Sequence, residues 1–309
     1  MIKERKESNM SSLPQAGIFS EGNTQFYYLE YQLQPDAATP DIRRAVRSAL
    51  AVKGGEPSET VIAFGKDAWD RLNPAWRPEG LRDSSSLSGV DGYSVPSTQR
   101  DLLFWIQSHR RDVNMQVVLA IHSFMQTVGV LKLDLAGFQY LDSRDLIGFI
   151  DGTANPKEEK ALDAALIPEG QTGAGGSFVL SQQWVHDLPA FNTLSQSEQE
   201  QVVGRTKPDS IELEGEAMPP TSHVSRTDYK ENGKAFKILR RSAPYGTVRE
   251  HGLYFLAFAC ELYRFQVLLE RMFGASEDGV SDQLIRYSKP VTSSYWFAPS
   301  REALLQVCS

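Results

Sequence analysis

Apolar positions in the first half of the chain follow an ordered succession of strand and helix patterns. Alternation of apolar and polar residues predicts strands, and apolar residues spaced by three and four positions predict helices. The predicted strands are residues 24–33, 59–65, 101–108 and 129–141, and the predicted helices are 41–52 and 112–126. The order strand, helix, strand, strand, helix, strand is that of a ferredoxin-like unit.

The second half repeats this order, although its closing strand is not evident from the pattern. Strands are predicted at 176–188, 235–243 and 252–260, and helices at 195–207 and 261–274. We therefore predict an α+β protein built from two tandem ferredoxin-like units, with antiparallel sheets and peripheral helices. The expected domains are residues 14–145 and residues 146–309.

Composition and charge narrow the range of partners. The net charge is −7 and the pI is near 5.4. These values argue against nucleic-acid binding, which needs a basic surface. No segment approaches the about 20 consecutive apolar residues that a membrane span needs. The first 19 residues have no apolar signal segment, and Cys260 and Cys308 stand far apart without a CxxC motif. We expect a cytoplasmic protein that binds neither nucleic acid nor membranes.

One short segment places an acid directly behind an apolar run. Residues 147–156 read IGFIDGTANP, so that Asp151 follows Phe149 and Ile150 and precedes a glycine. Gly152, with the asparagine and proline after it, is typical of a turn. Asp151 either caps this turn or is held in a dry pocket where it transfers protons.

Among the five histidines, His223 has the most unusual setting. It lies in a polar segment after two prolines, where it is either an exposed loop residue or a ligand of haem or metal. Asp282 stands at a predicted helix start, where an acid commonly caps the helix. His122 is expected in the core and His186 is expected to face solvent.

Arg240 shares a predicted strand face with apolar residues. Strand alternation puts Phe236, Ile238 and Arg240 on one side. A buried guanidinium is unfavourable unless an anion meets it, so Arg240 either faces an anion in a pocket or is exposed on a twisted strand. In the neighbouring strand, Leu253 and Phe255 begin a face of decreasing side-chain size, which fits either core packing or the wall of a pocket for a flat ligand.

Together these residues resemble one family, the dye-decolourising haem peroxidases of the non-secreted bacterial branch. The resemblance extends from about residue 14 to residue 305 and rests on six blocks in order along the chain. They are GFIDGTANP, GRTK, TSHVSR, KILRRSAPYG, HGLYFLAFA and YSKPVTSSYWFAPS. The resemblance also implies the dimeric α+β barrel superfamily as the fold.

The resemblance assigns a role to each matching residue. It implies that His223 is the proximal ligand of the haem iron, that Asp282 binds the other nitrogen of His223, and that Asp151 and Arg240 act on the peroxide side. The remaining implied haem contacts are Arg205 at a propionate, Leu253 and Phe255 as apolar contacts, Ser242, and Gly152, Thr153, Ala154 and Asn155 along the haem edge.

The implied activity is that of a peroxidase with non-covalent haem b. Such an enzyme reduces hydrogen peroxide through an oxoferryl porphyrin radical and oxidises aromatic or dye-like reductants in one-electron steps. The resemblance also implies a homodimer or larger homo-oligomer. Encapsulin packaging is not expected, because no C-terminal tag follows the fold. Separately, Ala154 stands where many relatives carry a glutamate. The alternative is a haem-handling protein that uses the same pocket for porphyrin binding, transfer or iron removal.

Overall fold

The structure is a computed structural model that describes residues 12–309. The segment 1–11, on which most of the expectation about a signal peptide depends, lies outside the described residues. No helix in the described part of the chain is long and apolar enough to cross a membrane.

The first half contains six strands and three α-helices within the described residues. The strands are β1 (Gln25–Leu33), β2 (Ser58–Phe64), β3 (Leu87–Ser88), β4 (Ser94–Val95), β5 (Leu102–Ser108) and β6 (Gly129–Phe138). The helices are α1 (Thr39–Ala51), α2 (Lys66–Leu72) and α3 (Arg111–Met125). All predicted strands and helices of this half are confirmed, with ends shifted by up to three residues.

The second half carries the remaining elements of the described chain. Its strands are β7 (Ser177–His186), β8 (Lys230–Glu231), β9 (Lys234–Ala235), β10 (Leu239–Arg240), β11 (Ala243–Gly246), β12 (His251–Ala259), β13 (Ser288–Pro290) and β14 (Ser294–Ala298). Its helices are α4 (Glu159–Ala165), α5 (Leu188–Phe191), α6 (Gln196–Val203), α7 (His223–Thr227), α8 (Leu262–Met272) and α9 (Arg301–Val307).

Eight antiparallel strands close into a ring. The ring runs β12, β11, β6, β1, β5, β2, β14, β7, and β7 pairs back with β12. Its first-half segment, β6-β1-β5-β2, and its second-half segment, β11-β12-β7-β14, each have the strand order of a ferredoxin-like unit. The predicted α+β fold class is therefore confirmed, whereas the domain limits at residues 145 and 146 stay a prediction.

Two apolar layers stabilise this ring. The interior is filled by one cluster to which all eight ring strands contribute, with Tyr28, Ala63, Trp105, Leu133, Val179, Tyr245, Phe258 and Trp296 among its members. A second cluster joins the outer strand faces to the helices, including Ile42 of α1, Ile121 of α3 and Phe265 of α8. Because successive strand residues point to opposite faces, one strand supplies both layers.

The predicted strand at 235–243 is wrong in its extent. Regular pairing covers only β10 and resumes in β11, both along the same edge of β12 and in the same register. Between them the hydroxyl of Ser242 accepts the Leu256 N–H at 3.3 Å, so a side chain interrupts the backbone ladder. The closing strand of the second half is β14, whose five residues are all buried and show no alternation.

Glu30 is a carboxyl enclosed inside the barrel. It is 2% exposed, and its Oε1 accepts the Tyr254 hydroxyl at 2.7 Å and the Ser181 hydroxyl at 3.2 Å. Burial raises the pKa of Glu30 above its ordinary value of 4.5, because the charged form is poorly solvated there. The folded protein therefore binds this proton more tightly than the unfolded chain, and stability falls as the pH rises from the unfolded pKa through the folded one.

Glu30→Gln should therefore raise the thermal unfolding midpoint by about 2 to 4 °C at pH 8, where the charged carboxylate is costly. The gain should shrink towards pH 4, where the carboxyl is protonated in both states. Differential scanning calorimetry at the two pH values measures the difference, with exposed Glu216→Gln as the control. A gain of the same size at both pH values would contradict the assignment.

Candidate active site

A cavity lies on the outer face of the barrel wall formed by β7 and β12. Alternate residues of these strands form its floor, α8 covers it, and the loop after β6 and helix α7 close its sides. The apolar part of its lining includes Leu180, Trp184, Ile238, Leu253, Phe255, Phe265, Leu268, Leu269 and Met272. The predicted wall residues Leu253 and Phe255 are among them.

The loop after β6 brings Asp151 to one side of the cavity. The Asp151 N–H donates to the Ser143 carbonyl at 2.9 Å, and the Ile150 N–H donates to the Ser210 hydroxyl at 3.1 Å. Gly152 has φ +81°, a conformation that glycine adopts without strain, and its N–H donates to Asp151 Oδ1 at 2.6 Å. Asp151 thus caps the turn, as one of the two alternatives holds, and its carboxylate also lines the cavity, while proton transfer by Asp151 stays a prediction.

Arg240 lies on the same side of the cavity as Asp151. Its Nη2 is 3.8 Å from Asp151 Oδ1, and its side chain is 22% exposed. The Arg240 N–H donates to Asn155 Oδ1 at 3.0 Å, and Asn155 Nδ2 donates to the Arg240 carbonyl at 2.9 Å. This reciprocal amide pair fixes the loop against β10 and so sets the separation of the carboxylate and the guanidinium.

His223 faces the cavity from the first residue of α7, a short helix where the sequence predicted an irregular loop. Ser222 caps this helix by accepting the Ser225 N–H at 3.2 Å. His223 Nδ1 lies 2.6 Å from Asp282 Oδ2. Because a carboxylate favours the tautomer with its proton on Nδ1, the Nε2 lone pair is left available to a metal.

Asp282 makes two contacts, one as a cap and one with His223, while its role beside an axial ligand stays a prediction. Its Oδ1 accepts the Leu284 N–H at 2.8 Å and caps a 3₁₀ turn at Gln283–Arg286, while its Oδ2 receives His223. The side chain is fully buried. A carboxylate in this setting needs such donors, since no water solvates it.

Not every predicted cofactor contact lines this cavity. Thr153, Ala154 and Arg205 do, whereas Gly152, Asn155 and Ser242 line a neighbouring cavity that shares Asp151 and Arg240. The Arg205 guanidinium is already held by Glu212 at 2.6 Å and by the Ser210 carbonyl at 2.8 Å. A carboxylate ligand would therefore share Arg205 with Glu212.

His186 was wrongly expected to face solvent. It is 8% exposed and lines the cavity, with Nε2 3.0 Å from Asp145 Oδ1 and Nδ1 2.7 Å from the Ser288 hydroxyl. The available signal was alternation, which puts His186 on the same face as Trp184 and Gln182. Its partner Asp145 is 41 residues away in sequence, and no local pattern joins the two.

Comparisons with known proteins agree with this geometry. The family models of the Dyp-type peroxidase N-terminal and C-terminal regions match residues 15–139 and 142–303. A dye-decolorizing peroxidase of Mycobacterium tuberculosis is 36% identical over 250 residues, covering 79% of this chain and 74% of that protein.

Solved structures of similar proteins superpose along nearly the whole chain. A putative dyp-type peroxidase of Shewanella oneidensis has a TM-score of 0.89 at 32% identity, covering 96% of this chain and 98% of that one. A variant of DypB from Rhodococcus jostii RHA1, solved in complex with heme, has a TM-score of 0.88 at 32% identity, covering 95% and 99%.

Asn155→Ala should lower the free energy of unfolding by about 1 to 2 kcal/mol, because it leaves the backbone N–H and carbonyl of Arg240 without their partner. Urea denaturation measures the loss. The exposed Asn192, changed to Ala in the same way, is the control and should lose less than about 0.5 kcal/mol. Equal stability of the two variants would show that the amide pair does not hold the loop.

Proposed function

Because the chain belongs to the Dyp-type peroxidase family, we propose that its cavity binds non-covalent haem b between His223 on one side and Asp151 with Arg240 on the other. All three side chains line the same cavity, so a flat cofactor bound there would separate the imidazole from the acid and the guanidinium. The protein is a haem-dependent peroxidase, an oxidoreductase that acts on peroxide.

The lining of the cavity fits a flat macrocycle with one axial ligand. Its floor is mostly apolar and its cover is apolar, as a porphyrin face requires. Of the two imidazoles in the lining, His223 presents an available Nε2, whereas both nitrogens of His186 have protein partners. Arg205 and Lys237 are cations in the lining that suit the propionate groups. Bound haem would supply the iron that takes up peroxide and the electrons that reduce it.

Asp151 and Arg240 provide the groups that peroxide cleavage needs. Asp151 would accept a proton from one oxygen of hydrogen peroxide and return it to the other oxygen, which leaves as water. Arg240 would stabilise the negative charge that develops on the leaving oxygen, as a fixed guanidinium does without reorganising. Their separation of 3.8 Å allows both side chains to reach one peroxide molecule.

His223 and Asp282 provide the opposite side. The buried carboxylate draws the Nδ1 proton and so makes the imidazole a stronger electron donor through Nε2. The observation that carries the proposal is that His223, held by Asp282, lines the same cavity as Asp151 and Arg240. Storage or transfer of haem needs an axial ligand but gains nothing from an acid and an arginine on the peroxide side.

The reductant site is proposed at the edge of the cavity near Ala154. Thr153 and Ala154 are exposed there, and neither adds a charge to the opening. Uncharged side chains at these two positions suit aromatic reductants, which would deliver single electrons at this edge. The expected homodimer or larger homo-oligomer, the cytoplasmic location and the absence of encapsulin packaging stay predictions.

His223→Ala should weaken haem affinity by more than about 100-fold, beyond the range that loss of an outer partner of a metal ligand produces. Titration of haem-free protein with haem, followed by absorbance, measures the affinity. Exposed His109→Ala is the control and should bind as the parent does. Unchanged affinity and an unchanged axial-ligand spectrum in His223→Ala would refute the assignment.

Arg240→Leu should retain haem but slow the reaction with peroxide by about 10² to 10³, the range expected when one preorganised charge-stabilising donor is lost. Stopped-flow absorbance after mixing with hydrogen peroxide gives the rate. Arg249→Leu, the same change on an exposed residue, should leave the rate unchanged. A parental rate in Arg240→Leu would remove this residue from the mechanism.

A further inference from the structure

The two segments that carry His223 and Asp282 contact each other at three levels, in antiparallel order. At one end the Gln283 N–H donates to the Thr221 carbonyl at 2.9 Å. In the middle is the 2.6 Å contact of His223 with Asp282. At the other end Arg226 binds Asp278 through two bonds of 2.8 and 2.9 Å. The contact of His223 with Asp282 therefore lies between two further contacts of the same two segments.

Arg226 is a buried guanidinium whose donors reach this second segment and the end of α8. It is 3% exposed. Beyond its bidentate pair with Asp278, its Nε donates to the Arg271 carbonyl at 3.0 Å and its Nη2 to the Ser276 hydroxyl at 3.1 Å. The guanidinium holds the pKa of Asp278 well below the usual range of a carboxyl, so the pair is ionised at neutral pH.

Arg271, near the end of α8, donates in turn to the backbone of α7. Its Nε donates to the Arg226 carbonyl at 3.2 Å and its Nη2 to the Ser225 carbonyl at 3.0 Å. Helix α7 has five residues, too few to be stable without tertiary contacts. Its orientation therefore depends on the contacts that Arg226 and Arg271 make.

We propose that Arg226 and Asp278 form a positioning pair that holds α7 so that His223 Nδ1 stays within hydrogen-bond distance of Asp282, and that this pair thereby sets how strongly His223 donates to haem iron. The inference rests on the proposed haem site. Neither residue lines the cavity, so the pair acts through His223 and does not touch the reacting atoms.

The physical reason is the steep dependence of a charge-assisted hydrogen bond on its geometry. Without the Arg226 side chain, α7 keeps the bond at the Thr221 end and the bonds from Arg271 to its backbone, but it loses the side-chain contact with the segment of Asp282 beyond His223. A longer or bent bond from Nδ1 to Asp282 leaves the imidazole less basic. A weaker donor stabilises the ferric state less, so the reduction midpoint should rise and haem should leave faster.

Arg226→Lys and Asp278→Asn test the proposal, with Asp282→Asn as the reference for losing the bond itself. In the haem-free protein, ¹⁵N NMR of His223 reports the Nδ1 proton shared with Asp282. In the haem-loaded protein, the iron–histidine stretching frequency and the reduction midpoint report donor strength. Transfer of haem to excess apomyoglobin reports its release rate.

Both variants should move the His223 resonance, the stretching frequency and the midpoint in the direction of Asp282→Asn but less far. Haem release should become about tenfold faster, the lower end of the effect of losing an outer partner. Adding Arg226→Lys to Asp282→Asn should change these quantities little further, because both changes act on one bond.

Arg43→Lys is the matched control, because Arg43 also donates to backbone carbonyls between elements, Leu72 and Ser309, far from this site. Variants that lose stability as the control does, yet keep the parental resonance and stretching frequency, would overturn the proposal. If Arg226→Lys does not fold, Asp278→Asn decides, since Asp278 is 44% exposed. If haem in the parent shows no histidine ligand, the proposed function fails, and the haem-free NMR still decides on the positioning pair.

Discussion

The hydrogen bond between His223 and Asp282 is the constraint on which the site depends. Asp282 is fully buried, so its charge is tolerated only if donors reach both of its oxygens. One donor is the backbone N–H of Leu284, and the other is His223. Satisfying the carboxylate therefore also selects the imidazole tautomer and directs Nε2 towards the cavity. One hydrogen bond thus both satisfies the buried carboxylate and leaves Nε2 of His223 available to a metal.

The closed barrel provides the rigid wall of the cavity that His223 faces. β7 and β12 pair along eight successive positions, and their outward residues form the floor of the cavity. The interior cluster behind them is packed by residues from every ring strand. The side chains proposed to be catalytic then come from loops and short elements set against this floor, which is the usual division between a rigid scaffold and the residues it positions.

Local patterns predicted the parts of the site that depend on local geometry. Strand alternation put Arg240 with Phe236 and Ile238, and all three line the cavity. The cap position of Asp282 was also visible in the sequence. Contacts across long separations were not, since His223 and Asp282 are 59 residues apart and only the family resemblance joined them. Barrel closure likewise depends on the pairing of β11 with β6 and of β14 with β2, which no hydrophobic period encodes. His186 was misjudged because alternation gives the face of a strand but not what covers it.

Two pairs of hydrogen-bonded residues hold the elements that carry the proposed site residues in place. A non-covalent cofactor cannot hold the protein groups in place before it binds, so their geometry must be preorganised. On one side the Asn155 amide pair fixes the loop of Asp151 to the strand of Arg240. On the other, the charged pair of Arg226 and Asp278 fixes the helix of His223 to the segment of Asp282. An ionised, bidentate pair suits the second place, because α7 is too short to maintain its own orientation whereas β10 is supported by its partner strand. The less stable element, α7, is thus held by the stronger, ionised pair, and β10 is held by a neutral amide pair.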